Sequence, residues 1–325
     1  MEKTRILAVV GSTASGKSAL ALALAERLGG EIVSCDSMQV YRRMDIGTAK
    51  PTAEEQRLVR HHLIDAVEPT ENFSCAEYVS LATEAIDDCV RRGRLPIVCG
   101  GTGLYLDALL RKNDLADACA DEAVRQELWA LAEAQGAEAV WQQLWQVDPE
   151  SAEATHPNNI KRVIRALEIY RSCGVTKTEL DRRSREGGMR YDACVIGLRY
   201  TDREVLYRRI GERVDRMLDE GLVEETRRLW DEGVFEVNRT AAQAIGYKEL
   251  FPFLRGEQSL SEVSEALKLA TRRYAKRQMT WFGAKEYVQW IDVCGKSAEK
   301  EQKTFEEIVN IASELFQNCK KYDIM

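Results

Sequence analysis

Arg5-Ile-Leu-Ala-Val-Val10-Gly11-Ser-Thr-Ala-Ser-Gly16-Lys17-Ser18, continuing as Ala-Leu-Ala-Leu-Ala-Leu-Ala-Glu-Arg-Leu28, is the stretch that decides the fold. Its first six residues are almost wholly apolar, as a strand buried on both faces must be. The last eleven are an Ala/Leu helix closed by Gly29-Gly30. Between them Gly11 to Ser18 matches G-x-x-x-x-G-K-[ST], a phosphate-binding loop in its required strand-to-helix setting. The glycines let backbone N–H groups turn inward around phosphate oxygens, and the helix N-terminus adds partial positive charge. Lys17 supplies a point charge, and Ser18 offers a hydroxyl to Mg²⁺. A plain Gly-rich turn with a solvated lysine is the competing reading, and the flanking strand and helix argue against it.

Working outward, Glu31 to Cys35 reads as a second strand ending at Asp36, and Leu95 to Cys99 as a third, followed by Gly100-Gly-Thr-Gly103. Residues 37–51 have no clean period and form a long loop. Ser74-x-x-Glu77 and Thr201-x-x-Glu204 read as capping boxes, and Ser259 or Ser261 opens a helix to about Phe282. Residues 121–183 are helical, while 191–200 and 287–293 return to strand. The expected fold is therefore α/β: a P-loop NTPase-like parallel sheet flanked by helices, with an inserted all-helical domain. The expected boundaries are a core of 1–117 and 189–325 and an insert of 118–188.

Composition narrows the class. Of 325 residues, 45% are hydrophobic and 30% charged, with 6 Pro and 21 Gly, which is globular and neither disordered nor fibrous. No apolar run approaches the length of a membrane span, and the N-terminal run is too short for a secretory signal, so the chain is expected in the cytoplasm. Nine scattered cysteines and three histidines give a zinc site little to build from. A net charge of −7 speaks against nucleic acid only on average. Arg272/Lys276 and Arg273/Arg277 are i, i+4 pairs of like charge, and Lys161, Arg162 and Arg165 form a second patch, followed by Arg182, Arg183 and Arg185. Two basic patches on separate elements of an acidic protein fit a polyanion.

Asp36, at the carboxyl end of its strand, faces whatever lies beside the bound phosphates. It reads as a general base, as an outer partner of Mg²⁺, or as a turn-forming Asx residue. Thr102 reaches the same place or merely caps a helix.

Several motifs together resemble the tRNA dimethylallyltransferases (tRNA isopentenyltransferases). They are the P-loop, Asp36-Ser-Met-Gln-Val-Tyr41, Asp45-Ile-Gly-Thr-Ala-Lys-Pro51, Gly100-Gly-Thr-Gly-Leu-Tyr105, His156-Pro-Asn-Asn159 with Arg162, Arg165-Ala-Leu-Glu168, Ala244-Ile-Gly-Tyr-Lys-Glu249, and Thr271 to Gln278 through Trp281. Ser12 departs from the family's usual Pro, and the chain looks like the compact bacterial form. The resemblance implies transfer of a dimethylallyl group from dimethylallyl diphosphate to N6 of the adenosine 3′-adjacent to the anticodon, in tRNAs reading codons that begin with U. Asp36, Thr102 and Lys17 would be catalytic, with Mg²⁺ at Ser18. Gly11, Ser12, Thr13, Ala14, Ser15, Gly16, Lys17, Ser18 and Arg213 would bind the diphosphate. The tRNA anticodon stem-loop would meet Asp36, Ser37, Met38, Gln39 and Thr102, then Arg125, Lys161, Arg162 and Arg165. It would also meet Gln243, Gly246, Tyr247 and Lys248, with Arg272, Arg273, Lys276, Arg277 and Gln278. No membrane partner is expected, and the chain is expected to act as a monomer. Two alternatives stay open: a P-loop small-molecule or nucleoside kinase, with fold-level ATP binding, and a non-enzymatic P-loop RNA-binding protein.

Overall fold

The computed structural model describes residues 3–111, 121–293 and 298–319. The chain divides into two compact units. One holds the residues up to Leu109 and those from Tyr191 onward; the other is Leu110–Arg190. The expected boundary at 117/118 lies outside the described residues.

In the first unit the chain runs β1 (Arg5–Gly11), α1 (Lys17–Leu28), β2 (Gly30–Ser34), α2 (Ala53–Leu58), β3 (His61–His62), α3 (Cys75–Arg91), β4 (Leu95–Cys99) and α4 (Gly103–Leu110). The second unit contributes α5 (Glu122–Gln135), α6 (Ala137–Val147), α7 (Pro149–Glu153), α8 (Ile160–Cys173) and α9 (Lys177–Glu186). The first unit resumes with β5 (Asp192–Tyr200), α10 (Arg203–Asp219), α11 (Leu222–Asp231), α12 (Val234–Val237), α13 (Phe251–Leu254), α14 (Leu260–Gly283), β6 (Val288–Val293) and α15 (Ala298–Asn318).

The six strands form one sheet in the order β3-β2-β4-β1-β5-β6, every pairing parallel. β1 is central, with Leu7 opposite Ile97 on one side and Cys194 on the other. Helices cover both faces of a parallel sheet, so its strands read as unbroken apolar runs; Ile6 to Val9 are fully buried. α1 packs Leu20, Ala21, Leu24 and Ala25 on one face, joined by Ile308, Val309, Ala312 and Phe316 of α15. Gly29 ends α1 in a left-handed conformation, and its N–H bonds the Ala25 carbonyl. The chain leaves β1 toward β2 on one side of the sheet and leaves the neighbouring β4 toward β5 on the other, and this switch opens a crevice at the strands' carboxyl ends. Gly11, Asp36 and Gly100 all emerge there.

The caps hold with one change. Ser74/Glu77 and Ser259/Glu262 are reciprocal capping boxes. At α10 the cap is Asp202 rather than Thr201: the Asp202 carboxylate accepts from the Glu204 N–H, because a residue one position nearer reaches the first free donors. Several elements are additions to the sequence reading: the two-residue edge strand β3, the short helices α2, α12 and α13, then α11, and α15, whose apolar residues recur at helical spacing (Phe305, Ile308, Val309, Ala312, Phe316).

The second unit has its own core of Leu128, Val140, Leu144, Val163, Ile164 and Leu167. Trp141 seals it by donating its indole N–H to the carbonyls of Ala152 (3.0 Å) and Thr155 (2.8 Å). Among the described residues no helix is long and apolar enough to cross a membrane.

Candidate active site

The P-loop is set by backbone geometry. Gly11 sits at φ +147°, and a Cβ there would lie 2.8 Å from the Leu198 carbonyl oxygen, so only glycine fits. α1 opens at Lys17 with no side-chain cap, which leaves its first N–H groups to an anion. The Ser15 hydroxyl is buried inside the loop with no partner among the described residues. Lys17 Nζ lies 3.3 Å from the Ser12 carbonyl. Burial lowers the Lys17 pKa; Cys99 and Asp36 oppose that, while the nearby Arg213 cation adds to it. The Arg213 guanidinium is likewise lowered by burial and by Arg216, against the pull of Asp36.

Asp36 uses one oxygen for the turn and leaves the other. Oδ1 accepts from the N–H groups of Met38 (2.9 Å) and Gln39 (3.4 Å), an Asx turn. Oδ2 takes no hydrogen bond among the described residues. The Asx and acid–base readings are therefore compatible. Thr102 Oγ1 accepts from the Ser37 N–H at 3.1 Å and reaches the Ser37 hydroxyl at 3.4 Å, tying the end of β4 to the loop that carries Asp36.

Three cavities meet at these strand ends. The largest, about 640 Å³, is walled by Lys17, Ser18, Lys50, Arg209, Arg213 and Arg216, among others. A narrow one of about 60 Å³ is lined by Lys17, Ser18, Asp36, Gln39, Arg213 and Tyr274. The third, about 250 Å³, takes Asp36, Ser37, Met38, Gln243, Gly246 and Lys248, with Arg213, Tyr274 and Arg277. Arg213 borders all three, and Lys17 and Asp36 share the narrow one. An anion held at Lys17 and an acceptor entering by the third cavity would thus meet beside Asp36.

Other expected contact residues are committed within the protein or stand outside the cavities, although Gln278 also borders the narrow one. Gln278 is buried and its amide is committed within the protein: Oε1 accepts from the Thr13 N–H (2.8 Å), and Nε2 donates to the Gly101 carbonyl (3.0 Å). It clamps the P-loop to the β4 loop. Tyr247 is fully buried, its hydroxyl 2.7 Å from Glu225. Arg272 is half-buried, its guanidinium 5.5 Å from the Tyr207 ring centre, whereas Arg273 and Lys276 project outward from α14 beyond the cavities.

In the second unit, Arg125 and Arg165 both pair with Glu168, at 2.8 and 2.9 Å. Glu168 is fully buried; burial alone would raise its pKa, but hydrogen bonds from Arg125, Arg165 and the Asp121 N–H outweigh that and hold it low. These two arginines are thus spent largely on the unit's own core. Lys161 and Arg162 stand exposed on α8. Arg182 and Arg183 are paired with Glu179 on their own helix, which holds the Glu179 carboxyl down at about 2. That stretch is therefore a compensated face rather than a bare basic patch. The Arg185 side chain lies outside the described residues.

Two residues at the cavities carry no strong sequence signal. Tyr274 lines two of them, and Arg209 donates from Nε to the Ala14 carbonyl at 3.1 Å. Tyr274 lies within the basic stretch on α14, where its charged neighbours dominate the pattern. Arg209 stands one helical turn before Arg213, and that spacing is its one signal.

Metal chemistry has two candidates. Among the described residues Glu31, His62 and Cys89 have metal-ligand spacing. They sit away from the cavities, and both Glu31 oxygens are already bonded by Arg92. A thiol and an imidazole are also poor Mg²⁺ donors. Ser18 and Asp36, two oxygen donors on the narrow cavity, suit Mg²⁺ better.

Residues 39–285 match the family model described as IPP transferase. A tRNA dimethylallyltransferase of Halalkalibacterium halodurans is 48% identical over 92% of this chain and 94% of its own. One from Geobacillus thermodenitrificans is 50% identical over 89% and 90%. Among solved structures, the tRNA isopentenylpyrophosphate transferase from Bacillus halodurans superposes with a TM-score of 0.70 at 44% identity, covering 98% of both chains. A eukaryotic dimethylallyltransferase acting on tRNA reaches a TM-score of 0.83 at 28% identity, covering 99% of this chain and 81% of its own.

Proposed function

The chain belongs to the IPP transferase family, the tRNA dimethylallyltransferases, and from that premise we propose how its residues carry out prenyl transfer to tRNA. The donor is dimethylallyl diphosphate. The acceptor is N6 of the adenosine 3′-adjacent to the anticodon, in tRNAs that read codons beginning with U. The observation that carries this reading is the narrow cavity lined by Lys17, Ser18, Asp36 and Arg213, which shares Lys17 and Ser18 with the largest cavity and Asp36 and Tyr274 with the third.

The diphosphate binds the P-loop N–H groups, the Ser15 hydroxyl, Lys17 and Arg213. As the allylic C1–O bond breaks, its electron pair leaves with the diphosphate, and these donors face the charge that accumulates there. A single well-placed donor of this kind contributes about 3–4 kcal/mol to the transition state. Mg²⁺ held by Ser18 would neutralise part of the same charge. The N6 lone pair, delocalised into the adenine ring, forms the new C1–N6 bond while Asp36 Oδ2 accepts the N6 proton. Thr102 holds the Asp36 loop through Ser37. The base enters through the cavity lined by Gln243, Lys248 and Arg277, and a loop nucleotide is the cheapest to unstack for that purpose. Arg273, Lys276, Lys161 and Arg162 are free to meet tRNA phosphates.

The test is incubation with tRNA and labelled dimethylallyl diphosphate, followed by digestion to nucleosides. The label should appear on N6 of adenosine, with one diphosphate released per group transferred and no ATP consumed. Stoichiometric ADP from added ATP would instead make the protein a kinase. Binding of tRNA without product would make it a non-enzymatic RNA-binding protein.

A further inference from the structure

Glu225, on the first turn of α11, is 5% exposed and has no cation within ion-pair distance among the described residues. Its charge is met by neutral donors. Oε1 accepts from the N–H groups of Ile46 and Gly47 (both 3.1 Å) and from the Tyr247 hydroxyl (2.7 Å). Oε2 accepts from the N–H groups of Asp45 (3.1 Å) and Ile46 (3.0 Å). Burying a carboxylate without a counter-ion is costly, and an apolar residue would serve a plain core better. What the charge adds is geometry, since both of its oxygens are acceptors and every donor points at them.

The donors come from two segments that line the same cavity. Gly47 and Thr48 border the 250 Å³ space, as do Gln243, Ala244, Ile245, Gly246 and Lys248. The two segments are in backbone contact: a Cβ on Gly47 would lie 2.5 Å from the Tyr247 ring, and one on Gly246 would lie 3.1 Å from the Gly47 carbonyl oxygen. Only a glycine at 47 lets the ring close over the loop.

We infer that Glu225 is a positioning residue for the transfer reaction, fixing how the 45–48 loop stands against the 244–248 segment and so the shape of the space that receives the acceptor base. This rests on the reading above that the third cavity takes the acceptor. None of the Glu225 hydrogen bonds goes to the P-loop, but Asp45 and Ile46 also border the 640 Å³ cavity with Lys17 and Ser18, so diphosphate binding feels the loss of Glu225 less than the acceptor side does rather than not at all.

Glu225→Gln keeps the size of the side chain but sets an NH₂ against the donors. The expected result is a kcat lower by about 10–100-fold at saturating substrates, since misplacement of about 1 Å costs up to the upper figure, with a raised KM for tRNA. Affinity for inorganic diphosphate, measured calorimetrically, should fall far less than kcat. Normal kcat and KM in a variant shown folded by circular dichroism, with only its melting temperature lowered, would overturn the inference. Diphosphate affinity falling as far as kcat would also overturn it, as the damage would then be general. If Glu225→Gln does not fold, Tyr247→Phe decides: a tRNA KM raised by a larger factor than diphosphate affinity falls supports the role, and wild-type kinetics overturn it. A wild-type protein that forms no prenylated adenosine would sink the functional reading itself, whereas an active wild type matched by its variants would sink only the positioning role.

Discussion

At the scale of single residues, several polar side chains do two things at once. Asp36 spends Oδ1 on its own turn and keeps Oδ2 for chemistry. Gln278 fills a buried position and joins two loops with one amide. Glu31 offers a clean electrostatic test away from the cavities. Hydrogen bonds from Arg92 hold its carboxyl at about 2, below the ordinary 4.5; burial acts against them, and His62 assists. A folded-state pKa below the unfolded one adds stability that is complete above pH 4.5 and lost as pH falls toward 2. At about 1.4 kcal/mol per pKa unit the gain is about 3 kcal/mol. Glu31→Gln should therefore be less stable than wild type in urea titrations at neutral pH, and the two curves should converge in acid. A gap that stays constant from neutral pH to pH 2 would show that the variant's loss is one of packing. What could be read from the sequence at this scale was the contiguous part. Lys17 and Ser18 declare themselves because their loop is eight consecutive residues with strict geometry. The partner of Thr13 lies 265 residues away in Gln278, and that of Gly47 lies 178 residues away in Glu225. No local pattern marks either, so Gln278 read as a surface contact and Glu225 went unseen.

At the scale of elements, α14 is the most informative. Its 24 residues send Thr271 and Gln278 into the protein, with Ala275 between them, and leave Arg273, Lys276 and Arg277 exposed. The i, i+4 spacing of like charges was legible and holds. Which arginines were free was not: Arg272 folds back over Tyr207, and in the second unit Arg125 and Arg165 neutralise Glu168. Counting charges along a helix cannot tell a solvated cation from one already paired. The difference has a measurable consequence. Replacing Arg273 and Arg277 by Gln should weaken tRNA binding and reduce the slope of log K against log[salt] by about one for each phosphate left without its cation. An unchanged slope would mean that this face of α14 meets no phosphate.

At the scale of the molecule, the parallel sheet explains why these residues meet at all. β1 ends at the P-loop, β2 at Asp36 and β4 at Gly100 to Thr102, so three strand ends deliver anion site, carboxylate and clamp to one crevice. The return of the chain at β5, paired with β1 along its length, brings α10 and Arg213 to the same place. The strand–helix alternation made that sheet legible from the start. The cavities were not legible, because their walls come from segments scattered from Thr13 to Gln278. In the proposed mechanism everything turns on Asp36, standing where the anion site and the acceptor cavity join, as the group that takes the N6 proton. Asp36→Asn keeps the turn-forming oxygen and removes the base. The direct measurement is the single-turnover rate of prenyl transfer by this variant at saturating tRNA, set beside its Kd for tRNA. The expected result is a rate lower by about 10²–10⁴-fold with a Kd close to that of wild type. A variant that binds tRNA poorly but transfers at the wild-type rate once saturated would contradict that role.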